Sequence, residues 1–121
     1  MATLVVADDE SLVTDFLTFL LECEGHAVHV ASNGRQALKV IDEVRPALII
    51  TDLMMPVMPG LQLAQTLRES AKFSHLPIIL CSSVADPVAQ HELHLFTAIL
   101  RKPYPPARLI NLVNENIDAT G

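Results

Sequence analysis

Short, nearly unbroken apolar runs alternate along this chain with longer stretches whose apolar residues recur at helical spacing. The runs are Leu4-Val5-Val6-Ala7, Ala47-Leu48-Ile49-Ile50-Thr51, Ile78-Ile79-Leu80-Cys81 and Ala98-Ile99-Leu100, with a more mixed run at Ala27 to Ala31. Such alternation predicts βαβ units and a parallel sheet. Central strands without polar alternation predict a sheet covered on both faces, and Ala27 to Ala31 reads as an edge strand. Between the runs, Ser11 is placed to cap a helix reaching about Glu24 and stopping at Gly25. The apolar set of that helix includes Leu12, Phe16, Phe19, Leu20 and Cys23. Asn33-Gly34 marks a turn, and Ala37, Leu38, Ile41 and Val44 then share a helical face that Pro46 ends. Gly60 opens a helix with Leu63, Ala64 and Leu67. Pro77 introduces the fourth strand, and Pro87 fits the first turn of a helix reaching about Leu95. Pro105-Pro106 precede a last helix carrying Leu109, Leu112, Val113 and Ile117.

With 121 residues, a single domain over 1–121 is expected, large enough for a real core. Residues 118–121 read as a frayed tail or the start of a linker. Four Phe, one Tyr and no Trp make that core aliphatic. The apolar stretches fall far short of the ~18 residues of a membrane span, and no signal-peptide pattern precedes the first strand. A cytoplasmic protein without membrane contact is the expectation. Cys23 and Cys81 stand in apolar contexts and read as two buried thiols, with no spacing that suggests zinc. The formal charge is −6, and the eight Lys and Arg are scattered, which disfavours direct nucleic-acid binding.

Chemistry enters where the strands end. Asp8-Asp9-Glu10 closes the first run, Asp52 the third, Ser82-Ser83 the fourth, and Lys102-Pro103 the fifth. Open α/β sheets carry their ligands beyond these strand ends. Each group alone has a plain structural reading as a turn, a cap or a surface lysine. Together they form a set suited to phosphoryl acceptance. Two like charges about 4 Å apart repel by ~4 kcal/mol at an effective dielectric of 20. Converging Asp8, Asp9 and Asp52 would therefore call for a cation, or for one of them to hold a proton. Oxygen ligands in an open shell suit Mg2+ or Mn2+. Asp52 would be the nucleophile, with Lys102 and Ser82 supplying a positive charge and a hydroxyl. Nothing in the pattern activates a water or holds a small-molecule substrate, so the phosphoryl donor must come from outside.

On these residues the chain resembles a response regulator receiver domain, the CheY-like family of two-component signalling. The acidic pair resembles Asp8 and Asp9. The family's Asp-Leu-x-Met-Pro-x-Met-x-Gly motif is matched by Asp52-Leu53-Met54-Met55-Pro56-Val57-Met58-Pro59-Gly60, its switch hydroxyl by Ser82, and its Lys-Pro pair by Lys102-Pro103. The resemblance implies a flavodoxin-like doubly wound (βα)5 fold with strand order 2-1-3-4-5. It implies Mg2+ bound by Asp9, Asp52 and the backbone carbonyl of Met54, with Asp8 acting through a water. It implies a histidine kinase or histidine phosphotransfer protein as donor, and a downstream effector domain or protein as output. The chain would be a switch rather than an enzyme, catalysing only its own phosphorylation and slow dephosphorylation.

Three departures stand out. The family commonly has an aromatic residue three positions before the lysine, where this chain has Ile99. The Ser82 to Lys102 interval is short, and Leu95-Phe96-Thr97 replaces a Gly-Ala-Asp turn, so the fourth helix should be short or irregular. Its His91 and His94 read as exposed polar residues. Met54 and Val84 lie two residues beyond Asp52 and Ser82, beside the expected path of attacking water. Neither can orient that water, so slow self-dephosphorylation is expected. Two rival readings stand beside this one. A phosphorylation-independent interaction module is favoured by Ile99 and the short helix, and disfavoured by the intact acidic site. A phosphatase of the haloacid dehalogenase type would need a second Asp where Met54 stands.

Overall fold

A computed structural model describes residues 1–83, 88 and 90–120. Five parallel strands, β1 (Thr3–Ala7), β2 (Ala27–Ala31), β3 (Leu48–Asp52), β4 (Ile78–Ser83) and β5 (Ala98–Lys102), form one sheet in the order β2-β1-β3-β4-β5. Among the described residues, four helices connect and cover them: α1 (Ser11–Cys23), α2 (Gly34–Val44), α3 (Gly60–Glu69) and α4 (Pro106–Thr120). A 3-10 segment, Gln90–Leu95, stands where a fourth crossover helix was expected to be short or irregular. Pro87 and Val84 lie outside the described residues. The last helix reaches Thr120, through most of the stretch read as a tail.

The sheet separates two apolar layers because alternate strand side chains face opposite ways. Val5, Ile49, Ile78 and Leu80 pack with Ala37 and Ile41 of α2 and Leu63 and Leu67 of α3. Leu4, Val6, Ile50 and Ile79 pack with Leu17 and Leu21 of α1 and Leu109 and Val113 of α4. Both faces are thus covered, as the unbroken apolar strands require.

Helix starts follow local chemistry, with one correction. Asn33 caps α2, its side chain accepting from the Gln36 N–H at 2.9 Å. Ser11 does not cap α1: Glu10 occupies that place without a side-chain bond, and Ser11 is the first helical residue. The Asp8 carboxylate accepts the Glu10 N–H at 2.9 Å, which holds the turn between β1 and α1.

The face of α1 also differs from expectation. Thr14, Leu17 and Leu21 are buried, whereas Leu12, Phe16, Phe19 and Cys23 are exposed. Val13, Leu17, Leu20 and Leu21 form a second apolar stripe on the same helix, and it is this stripe that meets the sheet. Cys81 is buried as expected and Cys23 is not.

Leu95-Phe96-Thr97 does structural work. Leu95 and Phe96 are buried against the α2–α3 layer. Thr97 bonds Ile78 twice, its Oγ1 accepting the Ile78 N–H at 3.0 Å and its own N–H donating to the Ile78 carbonyl at 2.8 Å. Arg68 donates to the Leu95 and Leu76 carbonyls at 3.0 and 2.7 Å, tying α3 to the loop before β4 and the turn before β5. The short connection is held without a glycine turn.

Candidate functional site

The carboxyl ends of β1, β3, β4 and β5 bring the predicted groups together. One oxygen from each of Asp8, Asp9 and Asp52 lies within 4.8 Å of the others. Asp8 and Asp52 are buried and Asp9 is exposed. The Lys102 ammonium reaches across β4 and donates to Asp52 Oδ1 at 3.0 Å. Ser82 is wholly buried at the end of β4, in register with Arg101 of β5. A shallow cleft of about 230 Å3, lined by Asp8, Asp9, Ser11, Val30, Ser32 and Gln36, opens beside the carboxylates.

Electrostatics follow from that crowding. The Asp8 carboxyl is pushed up to about 6, first by burial and then by the charges of Asp52 and Asp9. The Glu10 N–H and Lys102 only partly offset this. Burial alone would lower the Lys102 ammonium, but its bond to Asp52 and the charges of Asp52 and Asp8 hold it above its usual value. The Cys81 thiol, beside Asp52 in the sheet register, is pushed up to about 11 by burial despite a 3.8 Å contact with the Tyr104 hydroxyl. That group is an inert neighbour.

These observations test whether a divalent cation fits. Three carboxylate oxygens converge, one carboxyl is driven toward its protonated form, and one carboxylate stays open to solvent. That is a donor set short of positive charge, with room for water ligands, and it fits Mg2+ or Mn2+. Asp8, Asp9 and Asp52 are the residues able to hold the ion. Met54, expected to add its backbone carbonyl, has an exposed side chain two residues past Asp52.

The loop after Asp52 is shaped by two unusual contacts. The N–H of Gly60 donates to the Leu53 carbonyl at 2.8 Å, and a Cβ at Gly60 would overlap the Asp52 carbonyl oxygen. Only glycine permits this closure of β3 onto α3. Within the loop, the Met58 N–H donates to the Pro56 carbonyl at 2.7 Å around Val57, whose φ is +67°.

Ser83 is half-buried, and its carbonyl lies 3.4 Å from Arg101 Nη1. The Lys102–Pro103 bond is cis. Ile99 is half-buried against the α2–α3 layer. His91 and His94 are exposed.

One residue was missed. Arg101 donates Nη1 to Ser82 Oγ at 3.0 Å. A charged residue at a strand end reads as a solvent-facing position, and only the β4–β5 register reveals its partner.

The sequence model of the response regulator receiver domain matches residues 4–114. The chain therefore belongs to the response regulator receiver domain family, the CheY-like switches of two-component systems. It is 37% identical over 114 residues to an uncharacterized 14.6 kDa protein of Leptolyngbya boryana, covering 93% of this chain and 87% of that one. It is 32% identical over 117 residues to the DNA-binding response regulator MtrA of Mycobacterium tuberculosis, covering 94% of this chain but 50% of MtrA. The chain thus spans about half the length of that relative. The receiver domain of the Francisella response regulator 1452 superposes with a TM-score of 0.90 at 28% identity, covering 100% of both chains. Among the described residues, no helix is long and apolar enough to cross a membrane.

Proposed function

We propose that Asp52 is the phosphoacceptor of this receiver and that Asp8, Asp9 and the Met54 carbonyl complete its metal site with it. The observation that carries this reading is the convergence of three carboxylate oxygens with the Lys102 ammonium on Asp52 Oδ1. The divalent ion would neutralise charge on the transferring phosphoryl group. An Asp52 oxygen attacks phosphorus, the bond from phosphorus to the donor's imidazole nitrogen breaks, and the product is an acyl phosphate. Lys102 then pairs with a phosphoryl oxygen instead of the free carboxylate, and Ser82 donates its hydroxyl to another. Any hydrolysis is the domain's own and slow, because the exposed Met54 offers no group to orient water.

The donor is a histidine kinase or histidine phosphotransfer protein. The exposed stripe Leu12, Phe16 and Phe19 supports this, since α1 begins three residues after Asp8 and gives a donor protein an apolar surface beside the acidic site. The output is an effector domain or protein, the domain contacts neither nucleic acid nor membrane itself, and the cytoplasm is where such a donor and ion meet it. The domain extends over 1–121.

Acetyl phosphate labelling with Mg2+ tests the assignment. Label should appear on the unsubstituted protein and vanish in Asp52→Asn. Persistent labelling of Asp52→Asn would overturn the role of Asp52. Equal partner affinity with and without beryllofluoride would favour the phosphorylation-independent module.

A further inference from the structure

Ser82 must do two things if Asp52 is phosphorylated: it must turn its proton toward the phosphoryl group, and its change of state must reach the surface. Its hydroxyl is wholly buried, so water cannot orient it. Arg101, opposite it in the β4–β5 register, donates Nη1 to Ser82 Oγ at 3.0 Å and lies 3.4 Å from the Ser83 carbonyl. A hydroxyl has one proton and two lone pairs, and a guanidinium only donates. With Arg101 on a lone pair, the Ser82 proton is left for another acceptor. A phosphoryl group on Asp52 would bring three acceptor oxygens to the adjacent strand end. A cation donating into the oxygen also polarises the O–H and makes it a better donor.

Ile99 cannot take this part. It lies two residues earlier on the same face of β5 and packs into the α2–α3 layer without a polar atom. Arg101, in contrast, is hydrogen-bonded at its tip to a buried hydroxyl while the residue is exposed.

We propose that Arg101 is a positioning residue for Ser82, orienting its hydroxyl toward phosphoryl oxygens and carrying the state of Ser82 to the exposed face of β5. This rests on the reading of Asp52 as phosphoacceptor. In a receiver with Ile99 in the aromatic place, the path from site to surface then runs through a guanidinium rather than a ring.

The test uses the full chain with Mg2+ and beryllofluoride as the phosphoryl mimic. Arg101→Met should weaken beryllofluoride binding about three- to tenfold, the range of one hydrogen bond. Arg101→Lys, which can still donate, should recover most of it. In a Ser82→Ala background, Arg101→Met should cost nothing further. In the unsubstituted protein, the Arg101 Nε–Hε resonance should shift on saturation. Unchanged binding in Arg101→Met, an equal loss with and without the Ser82 hydroxyl, or an unmoved resonance overturns the proposal. Acetyl phosphate labelling of the unsubstituted protein separates the two readings. Label on Asp52 with any of those results removes only the role of Arg101, whereas no label on Asp52 removes the phosphoacceptor reading itself.

Discussion

The Lys102 ammonium lies 3.0 Å from Asp52 Oδ1 and so links β3 to β5, two strands that β4 keeps apart. The carboxylate and hydrogen bond that hold the amine also keep it charged. Losing a charge-assisted bond of this kind costs about 1.5–3 kcal/mol. Lys102→Gln should therefore bind beryllofluoride about ten- to a hundredfold more weakly. Equilibrium titration followed by amide chemical shifts checks this, and an affinity within twofold of the parent counts against a role for the amine.

Asp8 sets a pH dependence. Its folded-state value of about 6 lies above the ordinary 3.8, so the folded form holds the extra proton. The resulting contribution to stability is fully present below pH 3.8 and is lost as pH rises through about 6. A cation must displace that proton, so Mg2+ binding should be about tenfold weaker at pH 5 than at pH 7. Asp8→Asn should remove the step. A Mg2+ affinity that is flat across this range in the parent protein contradicts the account.

Val57 offers a gain in stability. A β-branched residue at φ +67° is strained by about 1–2 kcal/mol, and this side chain is exposed, so little packing is lost on replacement. The Met58 N–H to Pro56 carbonyl bond makes Val57 the centre of a γ-turn, so Val57→Gly, which removes the strained Cβ, should raise thermal stability by about 0.5–1 kcal/mol. A lower melting temperature would show that the loop uses the valine in some other way.

The α1 stripe separates docking from chemistry. Replacing Phe16 and Phe19 by Ser should leave the fold within about 0.5 kcal/mol of the parent, because both are exposed. Phosphotransfer from a histidine donor protein should slow, while labelling by acetyl phosphate stays as it was. Equal slowing with both donors would place the defect in the site instead.

The lifetime of an acyl phosphate on Asp52 would depend on how water is held beside it. Met54→Asn introduces an amide able to hold a water near Asp52, and the acyl phosphate should hydrolyse several-fold faster. A half-life that does not shorten argues that access, not orientation, limits hydrolysis.

The strand ends were legible in the sequence because burial on both faces leaves almost nothing but apolar residues until each strand stops. Asp52, Ser82 and Lys102 stand out against that background, and the structure brings them to one end of the sheet. The face of α1 was not legible for the converse reason. That helix is apolar nearly all round, with Leu12, Phe16 and Phe19 on one side and Val13, Leu17 and Leu21 on another, so periodicity cannot choose between them. Arg101 was hidden because its meaning depends on which residue stands across the strand pair. The cap of α1 fell to Glu10 rather than Ser11 because the Asp8 carboxylate already holds the turn.

The sheet register gives the site one more use. Asp52 stands opposite Cys81, Ser82 opposite Arg101, and Ser83 opposite Lys102. A slip of β5 by one residue would turn Lys102 to the other face and part it from Asp52. Only correctly aligned chains assemble the amine–carboxylate pair, so in a refolded sample the fraction of molecules that bind beryllofluoride with the parent's affinity would count those whose strands have found their native alignment.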